Sequence, residues 1–136
     1  MAAYYRSNIA LSELNTDALS EEVEQWSRDN RLPFEAGYTL QLTIEELVTN
    51  IVKYGIRIKP DSFVEIEIRE ENGEVTLTVS DNTAAFNPLA AADPDVTRPA
   101  EEREVGGLGL FLIRKKVTSI DYEFRNGFNV VRAVIR

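Results

Sequence analysis

The chain has 136 residues and a formal net charge of −8, and 43% of its residues are hydrophobic while 28% are charged. This composition is typical of a globular protein and excludes disordered and fibrous classes, so we expect residues 1–136 to form a single domain. The absence of cysteine and histidine excludes disulfide frameworks, Ser-His-Asp or thiolate catalysis and imidazole-based zinc sites.

The charge of the chain also limits its partners and its location. The negative field disfavours direct contact with nucleic acid and with an anionic membrane. No stretch of the sequence reaches the run of about 18 apolar residues that a membrane helix requires. We therefore expect a cytoplasmic protein whose ligands are neither nucleic acid nor lipid.

The first part of the chain predicts one strand followed by two helices. Apolar residues alternate over residues 3–12, which favours a strand. Over residues 16–30 they recur with helical spacing, and after Pro33 a longer helical pattern covers residues 34–56. The apolar stripe of this long helix consists of Leu40, Ile44, Leu47 and Ile51, widened by Val48.

Four further strands are predicted as two hairpins. Residues 63–70 and 74–80 alternate between polar and apolar side chains, and the Asn72-Gly73 pair between them favours a tight hairpin turn. Residues 119–126 and 128–136 form a second hairpin around Asn126-Gly127, and a helix opening at Leu108 precedes it.

Residues 82–104 show no periodicity and contain three of the five prolines. An aperiodic segment of about 20 residues within a small domain indicates either a wrong assignment of the elements or a functional lid. The order of the elements predicts an α+β fold, a two-layer α/β sandwich in which helices cover one face of a mixed, mostly antiparallel sheet.

Three polar residues of the predicted long helix share one narrow sector. At 100° per residue, Glu46, Asn50 and Lys53 fall within about 60°, and Glu45 points elsewhere. An amide oxygen is a good ligand for a hard cation, a carboxylate one turn away can accept a proton from an attacking hydroxyl, and a lysine supplies charge for phosphate. A solvated helix face would show the same pattern.

Two other segments complete the requirements of a nucleotide site. Asp81 ends a predicted strand, where its carboxylate could accept the exocyclic amine of adenine or simply initiate a turn. The glycines of residues 106–109 precede a helix, whose free N–H groups suit phosphates, although a tight turn would also use glycine. Taken in this order, the three segments predict a site for Mg-ATP.

The same segments resemble those of a known superfamily. GluLeuValThrAsnIleValLysTyrGly, AspAsnThrAlaAlaPheAsnProLeu and GlyGlyLeuGlyLeuPheLeuIleArgLys are similar to the N-box and the two glycine boxes of GHKL (histidine kinase-like) ATPases and kinases. Within that superfamily the chain looks most like the small bacterial anti-sigma-factor serine/threonine kinases. The resemblance covers nearly the whole chain and implies a Bergerat-type ATP-binding fold with an ATP lid at about residues 87–105.

The resemblance also implies roles for individual residues. Glu46 would be the general base, Asn50 would bind Mg²⁺ and Asp81 would hold adenine. The other nucleotide contacts would come from Lys53, Gly107, Leu108, Gly109 and Leu110. The chain departs from the family pattern where Thr83 and Ala85 replace two glycines, and where the last strand lacks a threonine that often lies near the adenine.

The function implied is that of an ATP-dependent serine/threonine protein kinase and anti-sigma regulatory factor that phosphorylates an anti-sigma-factor antagonist protein. A sigma factor as second partner and a homodimer are compatible with the same resemblance. Two alternatives stay open: an ATP-sensing module that binds proteins without turnover, and the ATP-binding half of a split histidine kinase.

Overall fold

A computed structural model describes residues 2–54, 59–90 and 108–136 of the chain. The helices are α1 (Thr16–Asp29), α2 (Phe34–Tyr54) and α3 (Leu108–Lys116), and the strands are β1 (Ala3–Ala10), β2 (Phe63–Glu71), β3 (Glu74–Asp81), β4 (Ser119–Arg125) and β5 (Phe128–Ile135). The first strand is shorter than expected, because a 3-10 turn at Leu11–Glu13 follows it. Most of the predicted lid, residues 91–105, lies outside the described residues, as do positions 55 and 56 of the predicted long helix.

The five strands form one sheet with the order β1-β2-β3-β5-β4. All four pairings are antiparallel, so the predicted α+β sandwich is confirmed and the described sheet contains no parallel pair. Both predicted hairpins are also confirmed. Their turn residues have positive φ, at 53° and 82° for Asn72 and Gly73 and at 53° and 85° for Asn126 and Gly127, which is the backbone of a type I′ turn.

The hydrophobic core lies between the helices and one face of the sheet. Alternate residues of β2 and β3 are buried and pack with the apolar stripe of α2 and with residues of α1. The α2 residues in this core are Leu40, Ile44, Leu47 and Val48, as the helical period predicted. Burying each such side chain stabilises the fold by roughly 1.5–3 kcal/mol. Ile51, the last residue of the predicted stripe, is only half-buried.

Local signals account for the helix ends. Asn15 precedes α1 and its side-chain oxygen accepts a hydrogen bond of 3.0 Å from the backbone N–H of Ala18, which satisfies one of the free donors of the first turn. Arg31, with a φ of 54°, and Pro33 separate α1 from α2. Within the described ranges, no helix combines the length and apolar character needed to span a membrane.

Candidate nucleotide-binding site

A small pocket, with a cavity volume of about 20 Å³, lies between α2 and the strands β3 and β5. Its lining residues are Leu47, Asn50, Ile51, Val79, Asp81, Thr83, Phe86, Pro88, Asn129 and Val131. The pocket therefore brings together Asn50 and Asp81, which the sequence assigned to metal and adenine from two separate segments. Its mostly apolar walls and few polar groups are typical of small-molecule sites.

Asp81 is a buried carboxylate in the wall of this pocket, with 4% of its surface exposed. Its Oδ1 accepts hydrogen bonds from the backbone N–H of Thr83 at 3.0 Å, from the Thr83 hydroxyl at 2.5 Å and from Asn129 Nδ2 at 3.0 Å. Oδ2 receives no hydrogen bond from the described residues. The structure thus holds one oxygen of the carboxylate in place and leaves the other as an acceptor for a ligand donor.

Thr83 explains one departure from the family pattern. The sequence has threonine where a glycine is usual, and this side chain is buried with its hydroxyl on Asp81. Neither Thr83 nor Ala85 is among the described residues with positive φ. Because the backbone at these two positions needs no left-handed conformation, residues with a Cβ fit there, and Thr83 adds a hydrogen bond that glycine lacks.

Asn129 is a site residue that the sequence reasoning missed. It lies on β5 directly opposite Asp81, with 4% of its surface exposed. Besides donating to Asp81, its Nδ2 donates to the carbonyl of Ala84 at 3.0 Å, and its Oδ1 accepts from the backbone N–H of Phe86 at 3.0 Å and from the Tyr122 hydroxyl at 2.6 Å. This one amide therefore connects β3, β4, β5 and the loop that follows β3.

A signal for Asn129 is present in the sequence. The inward-facing positions of β5 are 129, 131, 133 and 135, and the last three are apolar residues of the core. A polar side chain on the same face of the strand as these three apolar residues must be buried, and a buried amide requires hydrogen-bond partners. The pattern therefore marks Asn129 as unusual, although it does not identify its partners.

Tyr122 supports this amide from the neighbouring strand. Burial is the main reason why the pKa of Tyr122 is raised, the hydrogen bond from the Phe86 backbone opposes this shift, and the negative charge of Asp81 adds to it. A phenol of ordinary pKa, about 10, is already protonated at neutral pH, and the raised pKa of Tyr122 extends this state to higher pH. Tyr122 can therefore serve as a stable donor to Asn129 Oδ1.

Of the three polar residues predicted to share one face of α2, only Asn50 lines the pocket. Asn50 is half-buried and lines the pocket, whereas Lys53 is exposed and is not among the lining residues. Glu46 is half-buried beside α3, where a methyl group at Gly109 would lie only 2.6 Å from Glu46 Cδ. A glycine at position 109 thus permits the close approach of the predicted base to the first turn of α3. Glu45 is exposed and is not among the residues that line the pocket.

The glycine segment is described only from Leu108 onward, and Gly107 lies outside the described residues. Leu110 is buried and does not line the pocket, so its contact with a nucleotide stays a prediction. Arg114 on α3 donates a hydrogen bond of 2.5 Å to the carbonyl of Leu89. This contact ties the described start of the loop after β3 to the helix that follows the glycines.

Asn50 is the residue to test as a metal ligand. No group of three or more acidic side chains close enough to hold a metal ion occurs in the parts of the chain that the structure describes. Mg²⁺ in nucleotide sites commonly takes one or two protein oxygens together with phosphate oxygens and waters. A single amide oxygen in a pocket with Asp81 therefore fits an ion that is bound chiefly by a triphosphate.

Residues 10–135 match the family model described as "Histidine kinase-like ATPase domain". The chain belongs to this family. The match confirms the resemblance seen in the three motifs, and it supports the use of ATP by this histidine kinase-like domain. The pocket at the end of β3 is therefore the candidate ATP site.

The domain is also similar to curated protein kinases. It is 32% identical over 92 residues to serine/threonine-protein kinase BtrW of Bordetella bronchiseptica, a match that covers 68% of this chain and 65% of BtrW. It is 29% identical over 102 residues to serine-protein kinase RsbW of Listeria monocytogenes and 28% identical over 102 residues to RsbW of Listeria innocua, each covering 72% of this chain and 65% of the relative. The matches thus span just under two thirds of the length of these kinases.

Proposed function

We propose that this histidine kinase-like domain is an ATP-dependent serine/threonine protein kinase and anti-sigma regulatory factor, and that its substrate is an anti-sigma-factor antagonist protein. The observation that carries the proposal is the pocket shared by Asn50 and Asp81, with Glu46 one turn from Asn50 on α2. The names of the relatives, which are protein kinases acting on serine or threonine, support the reaction class.

In this proposal Asp81 selects the nucleobase of the bound nucleotide. Its Oδ1 already accepts hydrogen bonds from Thr83 and Asn129, so Oδ2 would accept a hydrogen bond from the exocyclic amine of adenine. Guanine carries an oxygen at the corresponding position, and two acceptors facing each other would repel. ATP should therefore bind in strong preference to GTP.

The groups for phosphoryl transfer would come from α2 and α3. ATP, when bound, supplies the phosphoryl group. Asn50 would hold Mg²⁺ through its amide oxygen, Glu46 would accept the proton of the attacking serine or threonine hydroxyl, and Lys53 with residues 107–110 would contact the phosphates. Phosphoryl transfer depends mainly on positioning, neutralisation of charge and a base, so this set is sufficient. The lid at residues 87–105 remains part of the proposal.

Replacing Glu46 by glutamine tests whether Glu46 is the general base. The amide keeps the size of the side chain but does not accept the proton, so ATP affinity should hardly change while phosphoryl transfer to a purified antagonist domain falls by roughly 10²–10⁴-fold. Glu45→Gln is the matched control, because Glu45 is adjacent in sequence but exposed. If the wild-type chain binds ATP and the antagonist tightly yet transfers no labelled γ-phosphate, the domain is an ATP-sensing binding module instead.

Replacing Asp81 by asparagine tests adenine recognition. The asparagine oxygen can keep the bonds from Thr83 and Asn129, but its NH₂ group then stands where Oδ2 would meet the amine of adenine. Calorimetry should show ATP binding weakened by roughly 1–3 kcal/mol. Asp121→Asn, an exposed change on β4, should have no effect. Equal ATP affinities of wild type and Asp81→Asn would refute the adenine assignment.

A further inference from the structure

Exposed aromatic and basic side chains cluster where the start of α2 meets the end of α3. Phe34 is 82% exposed and Tyr38 is 50% exposed, and their rings stack with centroids 6.3 Å apart. Lys116 Nζ lies 5.4 Å from the centre of the Tyr38 ring. The exposed side chains of Phe34, Tyr38, Leu112, Lys115 and Lys116 are called the aromatic–basic patch below.

Helical spacing places the α3 members of the patch together. Leu112 is one turn before Lys116 and three residues before Lys115, so the three side chains share a face of α3. Leu112 is 42% exposed. Lys115 Nζ lies 5.2 Å from the centre of the Phe111 ring, which keeps this ammonium group over an aromatic surface.

The patch is basic although the chain is acidic. The chain carries a net charge of −8, and α1 has five exposed acidic residues against one arginine. Beside the patch, the exposed carboxylate of Glu35 lies 4.0 Å from Lys116 Nζ and offsets one of the two lysine charges. The helix dipole favours lysines in the last turn of α3, but it gives no reason to expose Phe34 and Tyr38. Exposed apolar side chains of this kind mark interaction surfaces.

The patch lies beside the predicted base, along the same helix pair. Glu46 of α2 meets Gly109 at the start of α3, and Tyr38 of α2 meets Lys116 at its end. Eight residues of helix separate Tyr38 from Glu46, which is about 12 Å. A standard interface buries about 800 Å² on each partner, enough to cover both positions at once.

We propose that the aromatic–basic patch docks the protein substrate, through a surface of that substrate which combines carboxylates with an apolar side chain. The carboxylates would pair with Lys115 and Lys116, and the apolar group would pack on Phe34, Tyr38 and Leu112. The inference rests on the proposed kinase function, because it places the substrate hydroxyl near Glu46 while its neighbouring surface covers the patch.

Charge reversal at the patch is the test. The Lys115→Glu, Lys116→Glu double variant should raise KM for a purified antagonist domain roughly tenfold, leaving ATP affinity and kcat at saturating antagonist unchanged. Raising the salt concentration should raise KM of the wild type and change that of the variant less. Phe34→Ala, which alters no charge, should also raise KM. Arg69→Glu is the matched control, because Arg69 is exposed on β2 and faces away from the helices.

Each outcome decides between the two proposals. An unchanged KM in both patch variants overturns the docking surface but not the kinase. If the wild type binds the antagonist without phosphorylating it, the kinase proposal fails, and weaker binding of the patch variants by calorimetry still supports docking. A wild type that neither binds nor phosphorylates the antagonist overturns both. If the patch variants change only the oligomeric state, the patch contacts a second copy of the chain and the substrate proposal is wrong.

Discussion

Replacing Asn129 by alanine removes the amide that joins β3, β4, β5 and the loop after β3. Asp81 would lose one of its three donors, and the Ala84 carbonyl, the Phe86 N–H and the Tyr122 hydroxyl would each lose a partner. A hydrogen bond to a charged group contributes about 1.5–3 kcal/mol and a neutral one about 0.5–1.5 kcal/mol. Phe86 and Tyr122 are not fully buried, so water can replace part of what they lose.

The free energy of unfolding should therefore fall by about 2–4 kcal/mol, a large share of the 5–15 kcal/mol that stabilises a typical domain. Urea titration with an unchanged m-value is the measurement. Asn8→Ala is the control, because Asn8 is an exposed asparagine on β1 and its loss should change stability by less than about 0.5 kcal/mol. The reasoning is refuted if the two alanine variants are equally stable.

Two further predictions follow from the geometry. In Gly109→Ala the new methyl group would displace the Glu46 carboxylate, so phosphoryl transfer should fall roughly 10–100-fold without loss of stability. Gly37→Ala is the control, because its Cβ would meet no described atom closer than 3.9 Å, and it should transfer phosphate at the wild-type rate. Equal rates in both variants would contradict the assignment of Glu46. Burial raises the pKa of Tyr5 to about 12, above its value of about 10 in the unfolded chain. The contribution of Tyr5 to stability is therefore complete below about pH 10 and is lost as the pH rises towards about 12. When the free energy of unfolding is measured against pH, Tyr5→Phe should lose less stability than the wild type over this interval, and parallel curves for the two proteins would show that Tyr5 does not titrate as described.

Local patterns were sufficient for the elements and for selecting Asn50 and Asp81, which line the same pocket in the structure. Alternation in β2 and β3, the Asn-Gly pairs at 72–73 and 126–127 and the stripe of α2 each act within a few residues, because they set backbone dihedrals and the face that is buried. The same local reading placed Asn50 beside Glu46 on one helix, since their separation is one turn. The functional segments followed from residue chemistry in chain order, and the family model confirmed the resemblance.

Only the tertiary structure decided which distant residues meet. β5 inserts beside β3, which brings Asn129 opposite Asp81, and the packing of α2 on α3 brings Gly109 to Glu46 and Lys116 to Tyr38. Periodicity specifies which side of an element is buried but not which element lies next to it. Strand order and helix contacts depend on long-range pairing and side-chain packing summed over the whole core, so the hydrogen-bonded wall of the pocket and the aromatic–basic patch emerge only once the chain is folded.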